Sequence, residues 1–135
     1  MTNILFVCKA NRFRSKIAQA YFNKINKNSK IKVRSAGILP GWPMIHTKTK
    51  KLLKNEFGLV IKGRPQGVSK SLLEWSDIIV IAADNVDPKI FHEREFKRKL
   101  IVWKIKDAEH SDKKQIRRAA RQIIAKINKF VKTLK

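Results

Sequence analysis

The stretch ILFVCKANRFRS at residues 4–15 decides the fold of this chain. Its first four residues are apolar and β-prone, which is typical of a strand buried on both faces. Cys8 ends the strand, and five residues separate it from Arg14 and Ser15. A helix is predicted to start here, with Ser15 as its N-terminal cap. The loop between a buried strand and a helix N-terminus presents backbone N–H groups that bind anions. The stretch therefore predicts a βα unit with an anion cradle around Cys8.

Further strands and helices alternate along the chain. Strands are predicted at 3–8, 31–34, 77–82 and 99–103, and helices at 15–28, 47–57, 72–75, within 84–92, and from about 111 to the end. No repeat or linker interrupts them, so we expect one domain over residues 1–135. The alternation predicts a three-layer α/β sandwich with a four-stranded parallel sheet, order 2-1-3-4, and helices on both faces. Cys8 and residues 104–109 then follow strands one and four at the same sheet edge, where such folds place their sites.

The composition is strongly basic. Thirty-two Lys and Arg residues face ten Asp and Glu, which gives a net charge of +22. This excess predicts affinity for a polyanion such as nucleic acid or an acidic protein, and codon bias does not explain the scarcity of acids. The last helix carries nine cations: Lys113, Lys114, Arg117, Arg118, Arg121, Lys126, Lys129, Lys132 and Lys135. Its alternative interpretation is a solvated outer face, and no motif predicts sequence-specific recognition.

Several classes of protein are excluded or disfavoured. Cys8 is the single cysteine, so there is no internal disulfide and no cysteine-based metal site. The three histidines lack metal-ligand spacing, and we expect neither a metal nor another cofactor. No apolar stretch approaches the roughly 20 residues that span a membrane, and no signal peptide is recognisable. The expectation is a soluble cytoplasmic protein.

The motif around Cys8 resembles the signature of the low-molecular-weight protein tyrosine phosphatases, Cys-x5-Arg-Ser after the first strand. Cys8, Asn11, Arg14 and Ser15 match it directly. The resemblance continues through three later segments: Ser-Ala-Gly at 35–37, the third strand at 76–80, and residues 103–107, which bring an acid after strand four. It covers nearly the whole chain, in order. Membership of this family, within the arsenate reductase-like superfamily, is the resulting prediction.

The resemblance implies a phosphatase that works through a cysteinyl-phosphate. Cys8 would attack phosphorus, Arg14 would hold the phosphoryl oxygens, and Asp107 would act as general acid and then base. Ser15 would hydrogen-bond the thiolate, and Ser35 would support the loop together with Asn11. The residues expected to contact the substrate are Lys9, Ala10, Asn11, Arg12, Phe13, Ser15 and Trp42. The substrate would be a phosphorylated protein or a small phosphomonoester, with phosphotyrosine and phosphoarginine both open.

The sequence departs from the family pattern at several positions. Ala10 replaces a glycine, Phe13 replaces a second loop cysteine, and Gly63 stands where many members have a loop-supporting histidine. Residues 109–110 replace the aromatics expected beyond the acid, and Trp42 offers an aromatic wall instead.

Alternatives remain for individual residues and for the function. The alternative interpretation of Cys8, taken alone, is an inert buried thiol, and that of Lys9 and Arg12 is solvated charge. Asp112 and Asp87 are alternatives to Asp107 as the acid. One competing function is a catalytically weak polyanion-binding module on the same fold. The other is an arsenate reductase, which with one cysteine would need an external thiol.

Overall fold

The computed structural model describes residues 1–40, 45–91 and 99–134 and contains one parallel sheet. Its strands are β1 (Thr2–Cys8), β2 (Ile31–Gly37), β3 (Ile78–Ala82) and β4 (Lys99–Trp103). They are ordered β2-β1-β3-β4, with every neighbouring pair parallel. The helices are α1 (Arg14–Ile25), α2 (Thr47–Phe57), α3 (Lys70–Trp75) and α4 (Lys113–Val131), with a 3₁₀ turn at Pro88–Phe91. The predicted strand order and sheet type are confirmed.

Apolar side chains cover both faces of the sheet. On one face, Phe6 packs between Phe22 of α1 and Trp103 of β4, and Phe130 of α4 closes the cluster with its ring centroid 5.8 Å from that of Trp103. On the other face, Leu5 and its strand neighbours pack with α3 and the segment after β3. Every residue of β3 is buried, as expected of a central parallel strand. The predicted α/β sandwich with helices on both faces is therefore confirmed.

Three element ends differ from the prediction. Helix α1 begins at Arg14, so Ser15 is its second residue and makes no capping hydrogen bond. The same helix ends at Ile25 because the Asn26 side chain donates hydrogen bonds to the carbonyls of Asn28 and Ile31 and turns the chain into β2. Strand β2 runs on to Gly37 because its last three residues stay paired with β1.

Helix α4 begins at Lys113 and ends at Val131. The Asp112 carboxylate accepts hydrogen bonds from the backbone N–H groups of Lys114 and Gln115. These hydrogen bonds fix the start of the helix at Lys113. Asp112 is thereby a helix cap. Across the described part of the chain, no helix is both long and apolar enough to cross a membrane.

Candidate active site

The loop between β1 and α1 encloses the sulfur of Cys8. Cys8 is 2% exposed, and its Sγ lies 3.0 Å from the hydroxyl of Ser15. The backbone N–H of Asn11 donates a hydrogen bond to the same sulfur at 3.3 Å. The Ser15 hydroxyl and the Asn11 N–H therefore both contact the sulfur of Cys8.

Asn11 holds the loop in a left-handed turn. Its φ is 55°, the one positive φ among the described residues other than glycine, and its side chain is fully buried. The amide nitrogen donates to the hydroxyls of Ser15 (2.7 Å) and Ser35 (3.0 Å), while Oδ1 accepts from the backbone N–H of Gln66 (2.9 Å). The Ser35 hydroxyl donates onward to Oε1 of Gln19. This network fixes the conformation that aims the loop N–H groups inward.

Gly37 allows β2 to approach the loop closely. A Cβ placed on Gly37 would lie 2.7 to 2.8 Å from the backbone atoms Ala10 C, Asn11 N and Lys9 O. The carbonyls of Cys8 and Lys9 accept hydrogen bonds from the two N–H groups that follow Gly37 in the chain. Only glycine fits at this position without displacing the loop.

The guanidinium of Arg14 is held by hydrogen-bond acceptors from the segments that follow β3 and β4. Its side chain is 2% exposed, and Nη1 donates to the carbonyl of Ile105 (2.8 Å) and to Asp84 Oδ1 (3.3 Å). Nη2 donates to Asn85 Oδ1 at 2.9 Å. These acceptors come from the ends of β3 and β4, so the sheet itself orients the guanidinium. A planar fork held in this way is suited to bidentate binding of an oxyanion.

Asp107 approaches the same guanidinium and lines the depression over Cys8. Its Oδ2 is 3.5 Å from Arg14 Nη2, and Oδ1 accepts the backbone N–H of Ala108. The two rival acids are engaged elsewhere: Asp112 caps α4, and Asp87 accepts the N–H of Lys89 at the 3₁₀ turn. Asp84 is the other carboxylate beside Arg14, and no motif in the sequence indicates it. Two carboxylates therefore border the position that an anion would take.

Three of the remaining predicted contact residues, Ala10, Arg12 and Phe13, line a small depression over the sulfur. It is lined by Cys8, Ala10, Arg12, Phe13, Arg14, Asp107 and His110. The Phe13 side chain is buried, with its ring edge-on to His110, so it reaches the depression only at its border. Arg12 Nη2 lies 3.5 Å from His110 Nε2. Lys9 is exposed and does not line the depression, and Trp42 lies outside the described residues.

The comparison with protein families identifies the chain. The model of the low molecular weight phosphotyrosine protein phosphatases matches residues 3–135. The chain belongs to this family. No curated protein matches the sequence significantly.

Solved structures share this fold across nearly the whole chain. The arsenate reductase from Archaeoglobus fulgidus is 30% identical, with a TM-score of 0.76, and the alignment covers 95% of this chain and 98% of that one. A low-molecular-weight phosphotyrosine phosphatase from Vibrio cholerae O395 is 21% identical, with a TM-score of 0.86 and coverage of 99% and 97%. The arginine phosphatase from Geobacillus stearothermophilus is 21% identical, with a TM-score of 0.85 and coverage of 99% and 93%. The last two similarities show the fold alone.

Lys16 is a second residue of the site region that sequence reasoning missed. Its ammonium group donates hydrogen bonds to the carbonyls of Lys62 and Arg64. These bonds tie α1 to residues 62–67, the connector between α2 and α3. Burial lowers the pKa of Lys16, and the negative charge of Cys8 partly offsets that effect. Gly63 lies in this connector and has a φ of 81°. A Cβ added to Gly63 would lie 3.3 Å from Lys16 Nζ. The connector is therefore anchored by Lys16 and by the Asn11–Gln66 hydrogen bond, without a histidine at position 63.

Among the described residues, no group of three or more His, Cys, Asp or Glu side chains could hold a metal ion. The chemistry available at the site is that of the Cys8 thiol, the fixed guanidinium of Arg14 and two carboxylates, with Arg12 and His110 at the edge of the depression.

Proposed function

We propose that this protein is a cysteine-dependent phosphatase that acts on phosphomonoesters through a cysteinyl-phosphate intermediate. The observation that carries the proposal is the pairing of Cys8, which receives hydrogen bonds from the loop, with Arg14, which is fixed at the other end of the same loop. Family membership and the shared fold support it. The site thus combines a nucleophile with a receptor for its substrate's charge.

The first step transfers the phosphoryl group to sulfur. The Cys8 thiolate attacks phosphorus in line, so an S–P bond forms while the ester P–O bond breaks. Arg14 and the loop N–H groups hold the equatorial oxygens, whose negative charge persists through the transition state. Asp107 donates a proton to the leaving oxygen, a contribution of roughly 10²–10⁴-fold. Asp107 lines the depression over Cys8 and Asp84 does not, which supports this role for Asp107 over Asp84.

The second step releases inorganic phosphate. The Asp107 carboxylate takes a proton from water, the resulting hydroxide attacks phosphorus, and the S–P bond breaks to restore the thiolate. Ser15, 3.0 Å from the sulfur, stabilises the departing thiolate by hydrogen bonding.

The proposed substrates are phosphorylated protein side chains and small phosphorylated molecules. Either would place its phosphate over Cys8, in the depression that Phe13 and His110 help to line. Phosphotyrosine and phosphoarginine are both candidates, since structural neighbours include phosphatases named for each. Phosphoarginine is a phosphoramidate, so with that substrate the P–N bond breaks and Asp107 donates its proton to the leaving nitrogen. A phosphorylated protein is the partner we propose, and a cytoplasmic location remains a prediction.

The test is steady-state hydrolysis of p-nitrophenyl phosphate near pH 6 by the wild type and by Cys8→Ser. Turnover in the first and none in the second is expected. A folded wild-type protein without turnover would contradict the proposal, and so would a Cys8→Ser variant that keeps it. Competing phosphotyrosine and phosphoarginine peptides would then rank the substrates.

Arsenate reduction is the second candidate, because the 30% identical Archaeoglobus protein is named an arsenate reductase. Reduction of arsenate to arsenite takes two electrons, which two thiols supply by forming a disulfide. Cys8 is the single cysteine, so the second thiol would have to be an external one, such as glutathione. Arsenite production that depends on both Cys8 and added thiol would favour this activity, and its absence would remove it.

A polyanion-binding role is the third candidate and rests on α4. Its exposed outer face carries lysines along its whole length, including Lys114, Lys126 and Lys132. Arg117 is not part of that free charge, because it forms a bidentate pair with Glu56 of α2 (2.7 and 2.9 Å). Binding to an oligonucleotide that weakens steeply with salt and survives Cys8→Ser would support this role. Binding that is lost when the loop between β1 and α1, the phosphate loop, is mutated would contradict it.

A further inference from the structure

A groove adjoins the candidate active site, and the catalytic scheme does not use it. It lies between the start of α2 and the start of α4 and has a volume of about 450 Å³. His110 lines both this groove and the depression over Cys8, so the two are neighbouring parts of one surface. A substrate bound at the phosphate loop would therefore extend towards the groove.

Cations line the groove from both sides. Lys48 projects from the first turn of α2, and Lys113 from the first turn of α4. None of the described residues that line it is acidic. The nearby Asp112 carboxylate is engaged in capping α4. The lining of the groove thus carries two cations and no acidic side chain, and the hydrogen bonds to Asp112 direct that carboxylate to the helix N-terminus.

The start of α2 adds to that charge. Its first turn contains no acidic residue, and its cap is the imidazole of His46, which accepts the N–H of Lys48. Helix N-termini are positive and normally carry acidic residues, whereas α2 has lysines at 48, 50 and 51. This arrangement destabilises the helix unless an anion lies near its N-terminus.

A buried hydroxyl in the groove lacks a partner. Thr49 lines the groove and is 1% exposed, and its Oγ1 has no hydrogen-bond partner within the described structure. A buried polar group without a partner is uncommon, and an oxyanion would satisfy it. Leu52 and Ile116 also line the groove and offer apolar contact to a methylene chain. Cations, a free hydroxyl and an apolar wall together suit a carboxylate on a short aliphatic stem.

We infer that this groove is a specificity subsite for an acidic side chain near the phosphorylated residue of a peptide substrate. The inference rests on the proposed phosphatase function, because the phosphate loop must hold the neighbouring phosphate. Lys48 and Lys113 attract the carboxylate, and Thr49 donates a hydrogen bond to it. The apolar contacts of the methylene groups distinguish this subsite from a general attraction to polyanions.

The experiment measures peptide binding to the Cys8→Ser protein, which cannot turn the peptide over. Two fluorescent phosphotyrosine peptides of equal length carry either Glu or Gln at the flanking positions, at fixed ionic strength. The Glu peptide is expected to bind at least fivefold more tightly. Lys48→Gln and Lys113→Gln are each expected to reduce that preference about three- to fivefold, the effect of one partly exposed ion pair.

Two further variants make the test specific. Lys132→Gln removes the same charge from the exposed far end of α4 and is expected to keep the preference. Thr49→Val keeps the shape of the side chain and is expected to reduce the preference, with a thermal melt confirming the fold. Equal binding of the two peptides would overturn the subsite, and so would an equal loss in Lys132→Gln.

The phosphate itself supplies the last control. If the unphosphorylated Glu peptide binds as tightly as the phosphorylated one, the attraction is general and the subsite is overturned. If neither phosphorylated peptide binds, the phosphate loop does not hold a phosphate, and the proposed function fails first. If both bind with equal affinity, the proposed function stands and the subsite alone fails.

Discussion

Replacing Gly37 by alanine tests whether close packing of β2 on the loop sets the geometry of the site. The added Cβ would lie 2.7 Å from Ala10 C and Asn11 N and 2.8 Å from Lys9 O. All three are backbone atoms of the phosphate loop, so no side chain can rotate away. Ordinary carbon contacts begin near 3.5 Å, which means that the loop must move by roughly 0.7 Å. Overpacking of this kind costs about 1–3 kcal/mol of unfolding free energy.

The catalytic consequence should exceed the loss of stability. The loop carries both the Asn11 N–H that reaches Cys8 and the backbone that receives the phosphate. A misplacement of about 1 Å costs on the order of 10²-fold in rate. We therefore expect Gly37→Ala to lose between about 10- and 100-fold in kcat/KM for p-nitrophenyl phosphate while remaining folded.

Gly67 provides the matched control, since it forms a bridge with Gly37. A Cβ there would meet Pro40 Cγ at 3.4 Å, an ordinary contact, and would touch no atom of the phosphate loop within 4 Å. Denaturant unfolding and kinetics of both variants are the measurements, together with inhibition by inorganic phosphate. The reasoning is refuted if Gly37→Ala matches Gly67→Ala in stability, phosphate affinity and activity. If neither variant nor the wild type turns over substrate, stability and phosphate affinity still decide the packing question.

Three more predictions concern charged groups. Arg14→Lys keeps the charge but loses the planar fork, so kcat/KM and phosphate affinity should fall together, by about 10²–10³-fold in kcat/KM; near-normal activity would show that charge alone suffices. Asp107→Asn should slow hydrolysis of phenyl phosphate more than that of p-nitrophenyl phosphate, because only a poor leaving group needs a proton, whereas Asp84→Asn should slow both equally; the reverse pattern would assign the acid to Asp84. The hydrogen bond from Arg117 lowers the pKa of Glu56 below its ordinary value, so its contribution to stability is present above about pH 4.5 and lost as the pH falls through the lowered value. The stability difference between wild type and Glu56→Gln should therefore shrink between pH 6 and pH 3, and a constant difference would contradict this linkage.

The comparison of sequence and structure is most informative at Ser15 and Arg14. The spacing Cys-x5-Arg-Ser placed both residues at the start of α1, and the structure brings them to Cys8. The sequence suggested a helix cap for Ser15, whereas the structure gives its hydroxyl to the sulfur and to Asn11. Local preferences do not fix helix ends to within one residue, so they do not predict whether a serine at the helix start caps the helix.

Partners that are distant in the chain were not predictable from local pattern. Asp84 and Asn85 contact Arg14 across about seventy residues, and Lys16 reaches carbonyls in the connector at 62 and 64. Neither set has a spacing that indicates contact, since each depends on how strand ends meet. The groove beside His110 arises in the same way, from two helices that are far apart in sequence.

The amino-acid sequence alone was enough to predict the parallel sheet and the loop after β1, and it singled out Cys8 as the nucleophile of the proposed function. Apolar strands and their alternation with helices require a parallel α/β sheet, because only that packing buries such strands on both faces. Tertiary structure alone decided which acids border Arg14, what clamps its guanidinium, and which cations share a groove with Thr49. These contacts join residues that are far apart in the sequence and meet at one edge of the sheet. The sequence pattern predicts that the strands end at that edge, but not which side chains meet there.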